Sequence, residues 1–573
     1  MRLSSVSIIG MLVAVAAVVT VGCGLTPGVE PTPDSSLNVP DSRPNVIVVL
    51  VDDMGFSDIE PYGSEIPTPN LEALANNGLK YSQFYNTARC STTRASLLTG
   101  LYPHAAGMGY LAGAMDDPQS KGTRGRLLPR SVTLAEVLRD AGYYTAMSGK
   151  WHMGNKKNST PWERGFDHSL SAGPGGIHFP GQTNKDHFTN ESKRKYQVFH
   201  IDGKPVKATD PILGKDWYGT DLYTTWGLKY IDQAIAEKKP FFLYLSHTAP
   251  HFPLMAPATE IDKFKGKYMA GWDELRKARY QRQVDMGLID KNFALTPRLA
   301  TTPAWESLTR AEQERYDEMM AVYAAMISSI DQSIGDLVAG LKARNQLDNT
   351  LILFMSDNGG NAETGVRGIA KAAAGGRLGD KNSKVFIGQT WATLNNTPFT
   401  LFKHFTHEGG IATPLIVHWP DGISNAVQGS IVTNPGHVID VMPTVLDVTG
   451  AHYPQKYRNT DILPFSGASL MPNFKGQTIT RGKPIFWEHE GNRAVRDGKW
   501  KLVSRLGYQW QLFNMELDRT ELNDLAAKYP DRVKTMSRQY DTWAANDYVD
   551  LWQETQPRTD SGAINRRVKA DLR

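Results

Sequence analysis

From residue 45 onward the apolar positions come in two textures. Asn45-Val-Ile-Val-Val-Leu-Val51, Tyr143 to Ser148, Pro240-Phe-Phe-Leu-Tyr-Leu-Ser246, Thr350-Leu-Ile-Leu-Phe-Met355 and Pro414-Leu-Ile-Val-His-Trp419 are short apolar runs. Such runs predict strands buried on both faces. Leu79 to Ala88 reads as a further strand. Between them lie stretches of helical period: Pro69 to Asn77 with Leu71 and Leu74 on one side, Val132 to Ala141, and Ala311 to Leu341. Strands alternating with helices predict an α/β fold, a large mixed, mostly parallel sheet sandwiched by helices. Segments 105–130, 172–220 and 255–305 have weak periodicity and many polar, Gly and Pro residues, and read as surface loops or lids. After about residue 480 the pattern changes. Arg493 to Val503 reads as a hairpin turning at Asp497-Gly498, Trp510 to Asn514 as another strand, and Asp531 to Ala544 as a helix.

The N-terminus stands apart. Arg2 precedes an apolar run from Val6 to Val21 that closes on Gly22-Cys23, so residues 1–22 are expected to be an export signal. The Gly-Cys junction resembles a bacterial lipoprotein cleavage site, with Cys23 the lipidated residue and Thr20 where Leu is usual. Residues 23–43 read as a flexible tether, 44–480 as the main domain and 481–573 as a C-terminal subdomain. A periplasmic location follows, with a membrane anchor through lipid on Cys23. Composition, 40% hydrophobic and 21% charged, is that of a soluble globular protein. Lys+Arg 63 against Asp+Glu 59 leaves no basic bias, so no nucleic-acid partner is expected. Cys23 and Cys90 are the two cysteines. One belongs to the export junction and the other to the stretch described next, so no disulfide is expected.

That stretch is Cys90-Ser91-Thr92-Thr93-Arg94-Ala95-Ser96-Leu97-Leu98-Thr99-Gly100. Helical spacing puts Cys90 and Arg94 on one face, and the helix N-terminus and guanidinium both favour an anion beside the thiol. Spacing alone leaves three readings open: a reactive thiol, an anion site or a packed small hydrophobe. Strand ends carry the other polar groups. Asp52 and Asp53 follow the first strand, and Asp357 and Asn358 follow Ser356. Each pair alone is an ordinary turn; together they offer hard oxygen ligands suited to Ca²⁺ or Mg²⁺ rather than zinc. Gly149-Lys150-Trp151-His152-Met153-Gly154, Ala249-Pro250-His251-Phe252-Pro253, and Lys403 five residues before Glu408-Gly409-Gly410 supply cationic groups.

The Cys90 stretch resembles the signature of the type I sulfatases, C-x-(P/A)-x-R followed by a spacer and T-G, with Thr92 at the Pro/Ala position. These enzymes are formylglycine-dependent members of the alkaline phosphatase superfamily. The Asp-Asp, G-K-W-H-x-G, A-P-H-x-P, D-N-G and K-x4-E-G-G segments resemble the family's in the same order, as do the helix at His437 to Asp447 and Glu521 to Leu525. The likeness runs from about residue 44 to 547, and the C-terminal strands and helix resemble the family's small antiparallel-sheet subdomain with its terminal helix.

The resemblance implies that a maturase oxidises Cys90 to Cα-formylglycine. It implies one Ca²⁺ held by Asp52, Asp53, residue 90, Asp357 and Asn358. Arg94, Lys150 and Lys403 would hold sulfate oxygens and developing charge, His251 would protonate the departing alcohol, and His152 would deprotonate the intermediate that expels sulfate. His247 falls outside the matched position. The expected reaction is hydrolysis of small-molecule sulfate esters, by likeness to bacterial arylsulfatases aryl ones. Two alternatives stand beside it: a phosphonate monoester or phosphodiester hydrolase of the same superfamily, or a sulfated-ligand binding protein if Cys90 stays unmodified.

Overall fold

The first apolar run sits at the centre of a ten-stranded sheet. In chain order its strands are β1 Asn45–Val51, β2 Leu79–Tyr81, β3 Tyr144–Lys150, β4 His168–Ala172, β5 Val198–Ile201, β6 Lys204–Lys207, β7 Phe241–Ser246, β8 Thr350–Ser356, β9 Leu415–His418 and β10 Ile431–Val432. The spatial order is β10-β2-β9-β8-β1-β7-β3-β4-β5-β6. Strands β8, β1, β7, β3 and β4 run parallel, whereas β9 and β5 join this block antiparallel. The sheet is thus mixed and mostly parallel at its core, as the alternation of elements predicts. This computed structural model describes residues 42–112, 119–173, 176–182, 198–550 and 552. Residues 1–22, expected to be an export signal, Cys23 and the expected tether up to residue 41 lie outside the described residues. Among the described residues no helix is long and apolar enough to cross a membrane.

The pattern of β1 explains the layers. Ile47, Val49 and Val51 belong to one apolar core and Val46, Val48 and Leu50 to another, because successive side chains point to opposite faces. Eight helices are used below: α1 Pro69–Asn76, α2 Cys90–Thr99, α3 Leu134–Asp140, α4 Gly219–Ala236, α5 Gly271–Asp285, α6 Arg310–Ala343, α7 Val441–Thr449 and α8 Pro530–Asn546. Residues of α1, α4 and α6 fill the first core, and residues of α2, α3 and α7 fill the second. Helix α6 starts at a capping box in which Thr309 and Glu312 satisfy each other's backbone N–H groups.

The C-terminal subdomain is a four-stranded antiparallel sheet of β11 Ile485–His489, β12 Asn492–Asp497, β13 Trp500–Ser504 and β14 Gln511–Asn514, paired in that order. Helix α8 lays Met536, Tyr540 and Trp543 on Val495, Leu502 and Leu512 of this sheet.

Three local expectations change. Leu79 to Ala88 is not one strand: β2 ends at Tyr81, and Phe84–Tyr85 pairs instead with Gly436–His437. Segment 255–305 contains α5, and segment 172–220 contains the edge hairpin β5–β6 and the start of α4. Helix α5 escapes an apolar-period reading because its buried face includes Arg276, Arg279 and Gln283 beside Trp272. Arg279 is buried against Asp58 at 2.8 Å and Glu65 at 2.7 Å. Its buried surface is polar and ion-paired, so no hydrophobic stripe announces it.

Candidate active site

Parallel register aligns the strand ends. Leu50 lies opposite Ser246, Gly149 opposite Ser246, and Val51 opposite Ser356. The residues that finish or follow these strands, Asp52, Lys150, His247 and Asp357, therefore emerge along one edge. Open α/β sheets place ligands beyond the carboxyl ends of their strands. The Asp357 N–H donates to Val51 O at 3.0 Å and the Asp53 N–H donates to Asp357 Oδ1 at 3.2 Å, which ties the two acidic turns together. Asp53 itself holds a left-handed φ of 70°. Helix α2 delivers Cys90 at its first residue and Arg94 one turn later.

The sequence-predicted residues converge. Cys90 Sγ lies 3.9 Å from Asp53 Oδ1. Lys150 Nζ donates to Asp52 Oδ2 at 2.6 Å, and Lys403 Nζ donates to Asp53 Oδ1 at 2.8 Å. Arg94 holds Asp357 Oδ2 through Nε at 3.1 Å and Nη2 at 2.8 Å, and its Nη1 donates to the Lys150 carbonyl at 3.0 Å. His251 Nε2 stands 3.5 Å from Asp53 Oδ2, and the Asn358 amide donates to Asp53 Oδ1 at 2.7 Å. His152, at a left-handed φ of 56°, lies near Lys150 and Arg94 and keeps a buried Nδ1 with no hydrogen-bond partner. His247 is buried with neither ring nitrogen bonded.

Other residues join that the sequence reading did not single out. The Asn361 amide donates to Asp53 Oδ2 at 2.6 Å, Glu363 Oε2 lies 3.6 Å from Lys403 Nζ, and Ser246 Oγ accepts from Arg94. Asn361 and Glu363 sit just past the Asp-Asn-Gly-Gly turn, and Ser246 closes β7. A search for polar residues within a few positions of strand ends would have found them.

Burial sets the electrostatics. It works to raise Asp52, but Lys150, His251, Arg94 and Lys403 together hold that carboxyl well below the usual range. Burial and the neighbouring Asp52 charge push Asp357 up to about 8. Burial opposes the charge on Lys403, and the carboxylates of Asp53 and Glu363 outweigh it, raising the ammonium. Burial, reinforced by Lys150 and Arg94, drives His152 well below the usual histidine range, so its ring is a neutral base. Burial pushes the Cys90 thiol up despite Lys403 and Lys150. A raised thiol is protonated at neutral pH, the opposite of what a cysteine nucleophile needs.

The acids fit a hard divalent cation. Asp52 Oδ1 and Asn358 Oδ1 are buried with no hydrogen-bond partner, and buried polar atoms are rarely left unmatched. One ligand atom each from Asp52, Asp53, Cys90 and His251 lies within 4.8 Å of the others. Three buried carboxylates close together repel, and a divalent cation among them relieves that repulsion.

Comparison with known proteins agrees with this geometry. The sulfatase family profile matches residues 44–451, and that of the N-sulphoglucosamine sulphohydrolase C-terminal region matches residues 399–543. An uncharacterized sulfatase of Schizosaccharomyces pombe is 34% identical over 526 residues, 85% of this chain and 91% of its own length. The arylsulfatase of Klebsiella aerogenes is 36% identical over 438 residues, 75% of this chain and 91% of its own. The solved structure of Ps i-CgsB with a bound neocarrahexaose superposes with a TM-score of 0.65 at 26% identity, covering 93% of this chain and 98% of that one. Buried acids, three cations and Cys90 at the carboxyl edge of a parallel sheet, in a chain so matched along its length, make this protein a member of the sulfatase family and a sulfuric ester hydrolase.

Proposed function

We propose that the protein hydrolyses aryl sulfates with a Cα-formylglycine made from Cys90 and a calcium ion held by Asp52, Asp53, residue 90, Asp357 and Asn358. The observation that carries this reading is the placement of Cys90 Sγ 3.9 Å from an acid of the oxygen-rich cluster, within a ring of Arg94, Lys150 and Lys403. A hydrated formylglycine supplies a nucleophilic hydroxyl and a second hydroxyl whose deprotonation releases sulfate, and calcium supplies a fixed positive charge beside it.

The chain's own residues do the rest. Arg94 is fixed by Asp357 and the Lys150 carbonyl, so its charge faces the residue-90 side chain without rearranging. Lys150 and Lys403 are the two ammonium groups positioned for sulfate oxygens. His152, held neutral by burial, is suited to accept the proton whose loss expels sulfate. His251 is the proton donor to the departing phenol. Burial lowers it while Asp53 and Asp52 favour its charge, and an anionic ester beside it shifts it further toward the charged form. Likeness to the Klebsiella aerogenes arylsulfatase supports the aryl leaving group. The export segment with Cys23 supports a periplasmic, lipid-anchored protein, with a formylglycine-generating maturase as its partner in maturation.

Mass spectrometry of the tryptic peptide containing Cys90, from protein made with a maturase, tests the reading. Loss of sulfur and gain of oxygen should accompany turnover of an aryl sulfate, with a phosphonate monoester turned over poorly. An unmodified thiol in protein that still hydrolyses sulfate esters would overturn it.

A further inference from the structure

A second convergence of ligand-type side chains lies where the C-terminal sheet meets the loop that carries Lys403. His489 ends β11, Glu490 follows it in the turn to β12, and His404 follows Lys403. One ligand atom from each of His404, His489 and Glu490 lies within 4.8 Å of the others, and all three side chains are fully buried. Neither ring nitrogen of His489 has a hydrogen-bond partner. The ring is nevertheless held in place, stacked on Tyr110 at 6.3 Å and on His404 at 5.8 Å between centroids, with Glu490 Oε1 3.5 Å from its Nε2. A buried imidazole with two idle nitrogens beside a carboxylate and a second imidazole calls for a ligand.

We propose that His404, His489 and Glu490 hold a divalent transition metal of the zinc class, at a site separate from the oxygen-rich cluster around Asp52. Two imidazoles and one carboxylate form a nitrogen-rich set of low coordination number, which suits zinc and does not suit calcium or magnesium. Glu363 Oε1 lies 2.8 Å from His404 Nε2 and 2.6 Å from Arg89 Nη1, and that Nη1 also contacts His404 Nδ1 at 2.7 Å. A metal therefore takes Nδ1 in place of the guanidinium, which keeps its bond to Glu363, while Glu363 orients the ring through Nε2. Such a metal fastens the β11–β12 turn to the Lys403 loop, along a seam where the Asn492 amide already donates to the His404 carbonyl at 3.2 Å. This inference does not depend on which ester the enzyme cleaves.

Cobalt(II) is the probe. Chelator-extracted full-length protein, reloaded with excess calcium, should bind one Co²⁺ per chain with a visible d–d absorption that Zn²⁺ displaces. His489→Asn and His404→Asn should each abolish that absorption, and Asp53→Asn should leave it in place. Diffraction at the zinc edge from zinc-soaked crystals should give an anomalous peak among the three side chains. No cobalt absorption, an absorption lost with Asp53→Asn but kept in His489→Asn, or a water without anomalous signal at this position would each overturn the proposal. If the histidine variants fail to fold, the diffraction experiment on the unaltered protein decides.

Discussion

Removing the Lys501 ammonium tests how the C-terminal sheet is fastened to the main domain. Lys501, on β13 and fully buried, donates to Glu408 Oε1 at 2.8 Å and lies 2.8 Å from Glu521 Oε1. Arg519 Nε donates to Glu408 Oε2 at 3.0 Å, and Glu521 Oε2 accepts the Glu408 N–H at 2.8 Å. Lys501→Met keeps much of the volume and leaves two carboxylates facing each other with one cation fewer. Breaking a buried pair from one side costs about 3–5 kcal/mol. Unfolding entropy of about 2.1 cal/mol/K per residue over roughly 500 residues is about 1 kcal/mol/K, so the thermal midpoint should fall by about 3–5 °C at pH 8.

The pH dependence fixes the cause. Burial and the Glu408 charge already push Glu521 up to about 7 with Lys501 present, and removing Lys501 pushes it higher. A carboxyl raised above its unfolded value of about 4.3 penalises the fold fully above its folded pKa and not at all below the unfolded one. Glu408, held at about 2, stays ionised in the unaltered protein throughout the range from pH 8 to 5. The deficit of the variant should therefore shrink from pH 8 to pH 5, and adding Glu521→Gln should recover part of it. Differential scanning calorimetry reads both. A midpoint within a degree of the unaltered protein at pH 8, or a deficit equal at the two pH values, would refute the reasoning.

Chelation should abolish aryl sulfate hydrolysis, with calcium restoring it; full turnover in thoroughly metal-stripped protein would remove the cation from the mechanism. Arg94→Lys cannot reproduce the two bonds to Asp357 Oδ2 together with that to the Lys150 carbonyl. Its kcat should fall by about 10²–10³-fold, as for loss of one preorganised donor, and a fall under about threefold would show that Arg94 does not bear on developing charge. Thr92→Pro should raise the converted fraction of Cys90 in maturase co-expression. Thr92 is the third residue of α2, where the backbone N–H has no intrahelical acceptor, so what proline removes is the side-chain bonding to Arg89 O at 2.9 Å, Thr87 Oγ1 at 2.7 Å and Thr87 O at 3.4 Å. An unchanged fraction, read by peptide mass spectrometry, would show that residue 92 does not limit conversion.

The centre of the fold was legible because its strands are buried on both faces. Val46 to Val51 and Leu351 to Met355 are apolar without a break, so the first acids after them, Asp52 and Asp357, mark the edge where the site lies. Elements buried through charge were not legible. Helix α5 hides behind Arg279 and its partners Asp58 and Glu65, and β11, which reads Ile-Phe-Trp-Glu-His, ends in the buried His489 of the second cluster. A sequence shows that such residues are polar; it does not show the distant chain segment that matches them.

The K-x4-E-G-G segment shows how one motif can carry two unrelated duties. Lys403 reaches Asp53 beside Cys90, whereas Glu408, five residues on, points away to Lys501 and Arg519 of the C-terminal subdomain. Gly409 and Gly410 allow that divergence, because a Cβ on either would lie 2.3 Å or less from the backbone carbonyls of Leu401 or Phe405. The close turn that aims Lys403 into the site therefore needs the glycines, and the C-terminal sheet needs Glu408 to dock on that same turn. Glu521, in the segment to Leu525 that resembles the family's, completes the clamp by accepting the Glu408 N–H. A loss of activity in a Glu408 variant would then arise through the turn and Lys403, and it should appear together with a lowered thermal midpoint, whereas loss of Lys403 itself removes a sulfate-facing charge and leaves the clamp intact.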